Sequence, residues 1–256
     1  MSLEGRVALV TGGGRGIGQA ISLGLAEDGA NIAINYRRDA QAALETVKQI
    51  EALGRKARAY SASVDRFDED ETMVKQILAD FGHVDILINN AGQASRGKSV
   101  AKTDPEELQR VVHTHALAPH YLSKLVLPSM RERARGDIIM ISSNATRLMA
   151  GGGAPYNMGK AAMEALAFTL SKEELRNNIH VNIVAPGLVE TEMGRRLIQA
   201  IRGDGDLRKL DPSMPFRHVC TPREIASVVR FLVSDAAGYV TGQRIYVDGG
   251  GLGGLG

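Results

Sequence analysis

One cysteine, Cys220, occurs in 256 residues. An internal disulfide framework is therefore excluded, a reducing compartment is expected, and Cys220 reads as a small buried hydrophobe. Charge of one sign is also scarce: 31 Lys and Arg face 29 Asp and Glu, a net +2. No global field draws in nucleic acid or an acidic membrane. No apolar run approaches the roughly 20 residues of a membrane span. The opening MSLEGRVALV runs straight into an apolar segment without a basic region and long apolar stretch, so no signal peptide is expected. A cytoplasmic, soluble protein is the expectation. No His and Cys spacing suggests a metal site. No Pro- or Ser-rich linker and no internal repeat divides residues 1–256, which suit one domain.

What is present is regular alternation. Residues 6–10, 31–35, 57–61, 85–88, 137–142, 180–184 and 244–247 form short runs, mostly apolar on both faces. Such runs suit strands buried on both sides. Between them, residues 16–28, 40–53, 69–81, 105–133, 154–176 and 223–233 read as helices. Asp104-Pro105 and Thr221-Pro222 are helix starts, a capping residue followed by proline at the first helical position. The alternation predicts an α/β fold with a doubly wound parallel sheet. Residues 190–216 hold Gly203, Gly205, Pro212 and Pro215 and are expected to be the least regular part, a mobile lid. The glycine-rich tail, residues 249–256, is expected to be packed or frayed.

The first strand ends in TGGGRGIG, residues 11–18. Glycines there let the backbone approach a pyrophosphate, and the following helix offers free N–H groups and a positive dipole end. The spacing is T-G-x-x-x-G-x-G, carried by Thr11, Gly12, Gly16 and Gly18; Ile17 falls where G-x-G-x-x-G places its third glycine. An acidic residue at the end of the second strand binds the ribose 2′-OH of NAD. Here that end reads Asn35-Tyr36-Arg37-Arg38, with no carboxylate until Asp39. Arg37 with Arg15 suits a 2′-phosphate held by bidentate hydrogen bonds, which favours NADP(H) over NAD(H).

Tyr156 and Lys160 share one helical face at i and i+4, with Ser143 thirteen residues upstream of the tyrosine at a strand end. A free tyrosine titrates near ~10, too high for easy proton exchange at neutrality. A neighbouring ammonium favours the phenolate. A serine hydroxyl beside it can polarise a carbonyl or orient an alcohol.

These motifs, in this order, resemble the short-chain dehydrogenase/reductase family over nearly the whole chain. The matching pieces are TGGGRGIG (11–18), NNAG (89–92), ISS (141–143), YNMGK (156–160), APGLVET (185–191) and TGQRIYVDGG (241–250). The resemblance implies a three-layer Rossmann fold with seven strands in the order 3-2-1-4-5-6-7. It implies Tyr156 as proton donor or acceptor, Lys160 on the nicotinamide ribose, and Ser143 on the substrate oxygen. It also implies that Asn89, Ala91 and Gly92 line the adenosine side, with Tyr36, Ser63 and Val64 near the adenosine. Pro186, Gly187, Val189 and Thr191 would lie near the nicotinamide. A homotetramer pairing helices 105–133 and 154–176 follows by the same resemblance.

Two positions depart from the family pattern. Ser63 stands where aspartate is frequent, before Val64. His115 stands where the family carries a catalytic asparagine that interrupts its helix and holds a relay water. Pro119 lies four residues on and has no N–H for the carbonyl of His115, so a kink is expected there, with the imidazole exchanging protons in the relay.

The substrate is less legible. The nearest likeness is to bacterial 3-oxoacyl carrier-protein reductases and related ketoreductases, which implies a carbonyl or acyl-thioester substrate. Sugar, steroid and xenobiotic alcohols stay open, as does a nucleotide-binding protein with weakened turnover. An acidic carrier protein wants basic residues at the cleft mouth, for which Arg131, Arg133, Arg135 and Arg176 are candidates. Leu188, Met193, Leu197, Met149 and Met214 are candidates for an apolar pocket or for packing under the lid.

Overall fold

A computed structural model describes residues 2–250. Seven strands form one sheet: β1 (Val7–Val10), β2 (Asn31–Tyr36), β3 (Ala57–Ser61), β4 (Ile86–Asn89), β5 (Gly136–Ile141), β6 (Ile179–Pro186) and β7 (Arg244–Val247). All neighbouring pairs are parallel, in the order β3-β2-β1-β4-β5-β6-β7. The central strands are buried along their whole length, in keeping with their predominantly apolar sequences.

The helices are α1 (Gly16–Glu27), α2 (Ala40–Ala52), α3 (Phe67–Phe81), α4 (Pro105–Val112), α5 (Ala118–Met130), α6 (Ala145–Leu148), α7 (Ala154–Glu173), α8 (Glu192–Arg202) and α9 (Pro222–Leu232). They cover both faces of the sheet. On one side Ile21 and Leu25 of α1 and Val229 and Leu232 of α9 pack on Val10, Ile32 and Ile88. On the other, Met73 and Ile77 of α3, Leu122 and Val126 of α5 and Met163 of α7 pack on Leu9, Leu87 and Met140. From β1 the chain runs outward through β2 and β3, then returns to β4 on the other side of β1. The crevice beyond the carboxyl ends of β1 and β4 is thus a topological switch point, where open α/β sheets bind ligands. No helix among the described residues is long and apolar enough to cross a membrane.

The expected strands and helices are present with ends shifted by at most three residues, but two regions differ in kind. The helix expected over 105–133 is broken by a π turn, His113–Leu117, between α4 and α5. The region 190–216 is not irregular: it holds α8 and the 3-10 segments Leu207–Ser213 and Pro215–Arg217. Thr191 caps α8 by accepting the N–H of Gly194, and Gly203 closes it in the left-handed conformation. Gly203 was a stop signal for a helix rather than a sign of a loop. Ile198, Leu207, Leu210 and Val219 form a small core there, with Leu188 and Met214 against it. Of the apolar pocket candidates, those two are therefore packing residues, while Met149, Met193 and Leu197 are exposed. Of the glycine-rich tail, residues 251–256 lie outside the described residues.

One buried group carries a stability prediction. Asp70, in the first turn of α3, is fully buried and neither carboxylate oxygen has a hydrogen-bond partner. Burial pushes its carboxyl up to about 8, with Asp65, Glu69 and Asp68 adding to the rise. The folded value lies above the unfolded one of ~3.9, so stability falls as pH rises between the two and levels off above the higher. Asp70→Asn removes that slope. In urea unfolding it should exceed the wild type by several kcal/mol near pH 9, on the order of 5 from these two values, and by little near pH 4. A gap that does not change with pH would refute an ionising Asp70.

Candidate active site

The phosphate cradle is built from the end of β1 outward. Thr11 is buried; its Oγ1 donates to the Ile88 carbonyl at 3.1 Å and accepts the N–H groups of Asn90 and Ala91, both at 2.9 Å. That bond set locks the β1 turn to the β4 turn across the switch point. The Asn90 amide adds a bond to the Thr11 carbonyl at 2.8 Å. Asn35 at the end of β2 completes the frame, accepting the Gly12 N–H at 3.3 Å and donating to the Ala62 carbonyl at 3.0 Å. Asn35 and Asn90 were not among the expected site residues; a polar residue closing an apolar strand was the available signal. Gly16 opens α1 at φ +54°, under the Thr191 methyl group, and a Cβ on Gly18 would collide with the Gly12 carbonyl. Ile17 follows in the first turn, packed against the α1-side core.

Near the end of β2, Arg37 and Arg38 are exposed, as is Arg15 at the mouth of the cradle. Asp39, the first carboxylate after β2, caps α2 by accepting the Ala42 N–H at 3.1 Å. Its charge is thereby committed to a helix end. Tyr36 is half-buried at the strand end. The Ser63 hydroxyl donates to Asp65 at 2.6 Å, and Val64 is buried in the core. The Asn89 side chain is also turned inward, donating to the Met140 sulfur at 3.3 Å. Gly92 packs directly against the His115 ring, which a Cβ at that position would meet at 2.7 Å.

The proton-transfer residues converge at the carboxyl end of β5. Ser143 follows the strand in a turn where its Oγ accepts the Ala145 N–H at 3.1 Å and Asn144 N–H reaches the Pro186 carbonyl at 2.8 Å. Gly187 N–H bonds the Val247 carbonyl at 3.0 Å, so the Pro186-Gly187 turn is tied to β7. Val189 is buried and bridges to Cys220. On α7, Lys160 is 3% exposed, and its Nζ donates to the Ile141 carbonyl at 2.6 Å. The ammonium lies 5.8 Å from the centroid of the Tyr156 ring. Burial pulls Lys160 down to about 7, and Glu164 opposes the fall. Desolvation pushes the Tyr156 phenol above its ordinary value, while the Ser143 hydroxyl pulls it back. The group thus holds a protonated tyrosine beside a lysine poised near neutrality.

His115 lies in the π turn, 1% exposed, its ring edge-on to Tyr156 at 5.1 Å. Its Nε2 sits 2.8 Å from the Gln93 carbonyl. Nδ1 is buried without a partner. Burial, with Lys160 adding to it, pulls the imidazole down to about 3. The ring is therefore neutral at physiological pH, with its Nε2–H donated to Gln93, and does not titrate there as expected of a relay member. The helix break is larger than Pro119 alone implies. Ala118 N–H bonds the His113 carbonyl, five residues back. Pro119 has no N–H, so the Thr114 carbonyl loses its donor in the π register and the His115 carbonyl loses its donor in the α register. Gln93, also not anticipated, ties the loop after β4 to this turn through Thr114 and Arg110.

A neutral ring predicts a quiet substitution. His115→Asn should change kcat by less than about tenfold and leave both limbs of the rate–pH profile in place, because proton-transfer roles are worth ~10²–10⁴. Loss of a limb in that variant would restore a titrating imidazole.

The four candidate carrier-docking arginines do not lie at the cleft mouth. Arg131, Arg133 and Arg135 precede β5, at the end of the strand opposite Ser143, and pair with Glu174, Asp85 and Asp137. Arg176 precedes β6 in the 3-10 turn Leu175–Asn177.

Fold and site together describe a Rossmann-type nucleotide-binding protein with a Ser-Tyr-Lys group beside its cradle. The family model described as enoyl-(acyl carrier protein) reductase matches residues 12–251. The 3-oxoacyl-[acyl-carrier-protein] reductase of Escherichia coli strain K12 is 35% identical over 252 residues, covering 98% of each chain. A short-chain dehydrogenase of Burkholderia cenocepacia J2315 in complex with NADP superposes with a TM-score of 0.88 at 32% identity, covering 98% of this chain and 99% of that one. A 7α-hydroxysteroid dehydrogenase with NADH and 7-oxoglycochenodeoxycholic acid does so with a TM-score of 0.90 at 30% identity, covering 100% and 97%. The chain belongs to the short-chain dehydrogenase/reductase family.

Proposed function

We propose that this protein is an NADP(H)-dependent ketoreductase that interconverts a ketone and a secondary alcohol, with a 3-oxoacyl thioester as the favoured substrate type. The carrying observation is the meeting of Ser143, Tyr156 and Lys160 at the carboxyl end of β5, beside a cradle closed by Thr11 and Asn90. The likeness to 3-oxoacyl carrier-protein reductases over nearly the full length supports the substrate type.

When bound, the nicotinamide cofactor supplies or accepts the hydride. The chain supplies the rest. Ser143 donates its hydroxyl proton in a hydrogen bond to the carbonyl oxygen and stabilises the charge that gathers there. Tyr156, kept protonated by its surroundings, gives its proton to that oxygen in the reductive direction and takes it back in the oxidative one. Lys160 is held against Ile141 with two N–H donors left for a ribose, and its charge favours the phenolate once the proton has gone. Arg15 and Arg37 suit the 2′-phosphate of NADP(H), and Asp39 is engaged elsewhere. Gly12, Gly16 and Gly18 leave room for the pyrophosphate, and Thr191 and Gly187 border the nicotinamide end. The α8 region serves as substrate lid over the single domain.

A homotetramer pairing the α4–α5 and α7 faces belongs to the same reading; the open groove between α5 and α7, at His120, Lys124, Leu127, Leu166 and Leu170, supports it. NADPH absorbance followed with a panel of acyl thioesters, steroid ketones and sugars tests the proposal. We expect turnover to be fastest on a 3-oxoacyl thioester. Binding of NADPH with no turnover on any member of the panel would favour a nucleotide-binding protein instead.

A further inference from the structure

Ser143 sits on the turn after β5, whereas Tyr156 and Lys160 sit on α7. The two elements meet at a buried carboxylate, Glu164, one helical turn beyond Lys160 and 4% exposed. Ser142 Oγ donates to Glu164 Oε1 at 2.6 Å, and Thr146 Oγ1 lies 2.8 Å from the same oxygen. The one hydroxyl proton of Thr146 is shared with the Ser143 carbonyl at 2.9 Å. Glu164 therefore grips the residues on both sides of Ser143. A buried carboxylate is costly unless paired, and here the pairing is complete. Arg244 reaches in from β7 and donates to Oε2 at 2.6 Å. The guanidinium is steadied by the Tyr246 ring at 4.9 Å, whose other neighbour is Arg147 at 5.5 Å.

We propose that Glu164 is a positioning residue, which fixes the Ser143 hydroxyl relative to Tyr156 and Lys160 and, with Arg244 as counter-ion, sustains the positive charge on Lys160. The catalytic half of this rests on the ketoreductase reading; the effect on Lys160 does not. The titratable groups around Lys160 are Glu164, Tyr156 and the neutral ring of His115. Arg244 screens the Glu164 carboxylate and itself repels the Lys160 ammonium, two effects of the same sign. Removing the carboxylate charge destabilises the ammonium; removing Arg244 leaves that charge unscreened and does the opposite. The two variants therefore shift Lys160 in opposite directions, which a purely structural role does not predict.

The test is a pH titration of the Lys160 side chain by NMR of ¹³C-lysine-labelled protein without substrate, paired with rate–pH profiles. Glu164→Gln should titrate lower by about one pH unit, and Arg244→Met should titrate higher. The alkaline limb of kcat should move with each. Thr146→Val loosens the grip without touching the charge. It should lower kcat by about 10–100-fold with KM little changed and Lys160 unmoved, as expected of a misplaced hydroxyl. Should Glu164→Gln fail to fold, Arg244→Met and Thr146→Val still decide. Shifts of the same sign in both charge variants, an unmoved Lys160 in Arg244→Met, or an unchanged kcat in Thr146→Val would each overturn the assignment. If no ketone is turned over at all, the titrations still report on Glu164, and only the proposed function is lost.

Discussion

Tyr156→Phe is expected to lower kcat by about 10²–10⁴-fold, the usual worth of a positioned proton donor. KM and cofactor affinity should stay close to wild type, because the ring and its edge contact with His115 remain. The size of the loss follows from what remains. Ser143 still polarises the carbonyl, so catalysis does not vanish, but the oxygen must draw its proton from water. Lys160 does not replace the phenol, since its Nζ is directed to the Ile141 carbonyl. Stopped-flow measurement of NADPH oxidation separates the chemical step from product release. A kcat within threefold of wild type, on the order of 0.7 kcal/mol in barrier, would remove Tyr156 from the reaction.

The second large effect concerns the cofactor. The double variant Arg15→Ala, Arg37→Ala should weaken NADPH binding by on the order of 10²–10³-fold, since each charge-assisted bond is worth about 1.5–3 kcal/mol. NADH binding should change by little, because neither guanidinium has a partner on an unphosphorylated ribose. The wild type should prefer NADPH, with a preference that shrinks as salt is raised. Calorimetric titration of both cofactors checks this. Tighter NADH than NADPH binding in the wild type would reverse the assignment.

Much of the frame was legible because the information is local. Strands buried on both sides are mostly apolar on both faces, so 137–142 and 180–184 declared themselves as strands, and Thr221-Pro222 announced α9 through a capping box that the structure completes with Glu224. The cradle and the Ser143, Tyr156, Lys160 group could be recognised because their spacing along the chain mirrors their placement at strand and helix ends. What escaped was non-local or ambiguous. The glycine and proline content of 190–216 argued against a helix, yet Thr191 and Gly203 bracket one. Pro119 announced a break but not its register, which depends on the N–H of Ala118 choosing His113. The charge state of His115 depends on its burial beneath Gly92 and Gly159, and no spacing reveals that. Asn89 lay within a recognised motif, yet its side chain faces Met140. Glu164 reads along the chain as an ordinary helical glutamate. Only the fold brings Ser142, Thr146 and Arg244 to it.

The central claim is that this chain moves a hydride from NADPH to a carbonyl carbon while Tyr156 supplies the proton. The most direct measurement is deuterium transfer from NADPH carrying two deuterons at C4 to a panel of 3-oxoacyl thioesters and other ketones, with products read by mass spectrometry. One deuterium is expected at the new carbinol carbon with at least the thioester, and Tyr156→Phe should form the same labelled product about 10²–10⁴-fold more slowly. Bound NADPH with no deuterium in any product would contradict it.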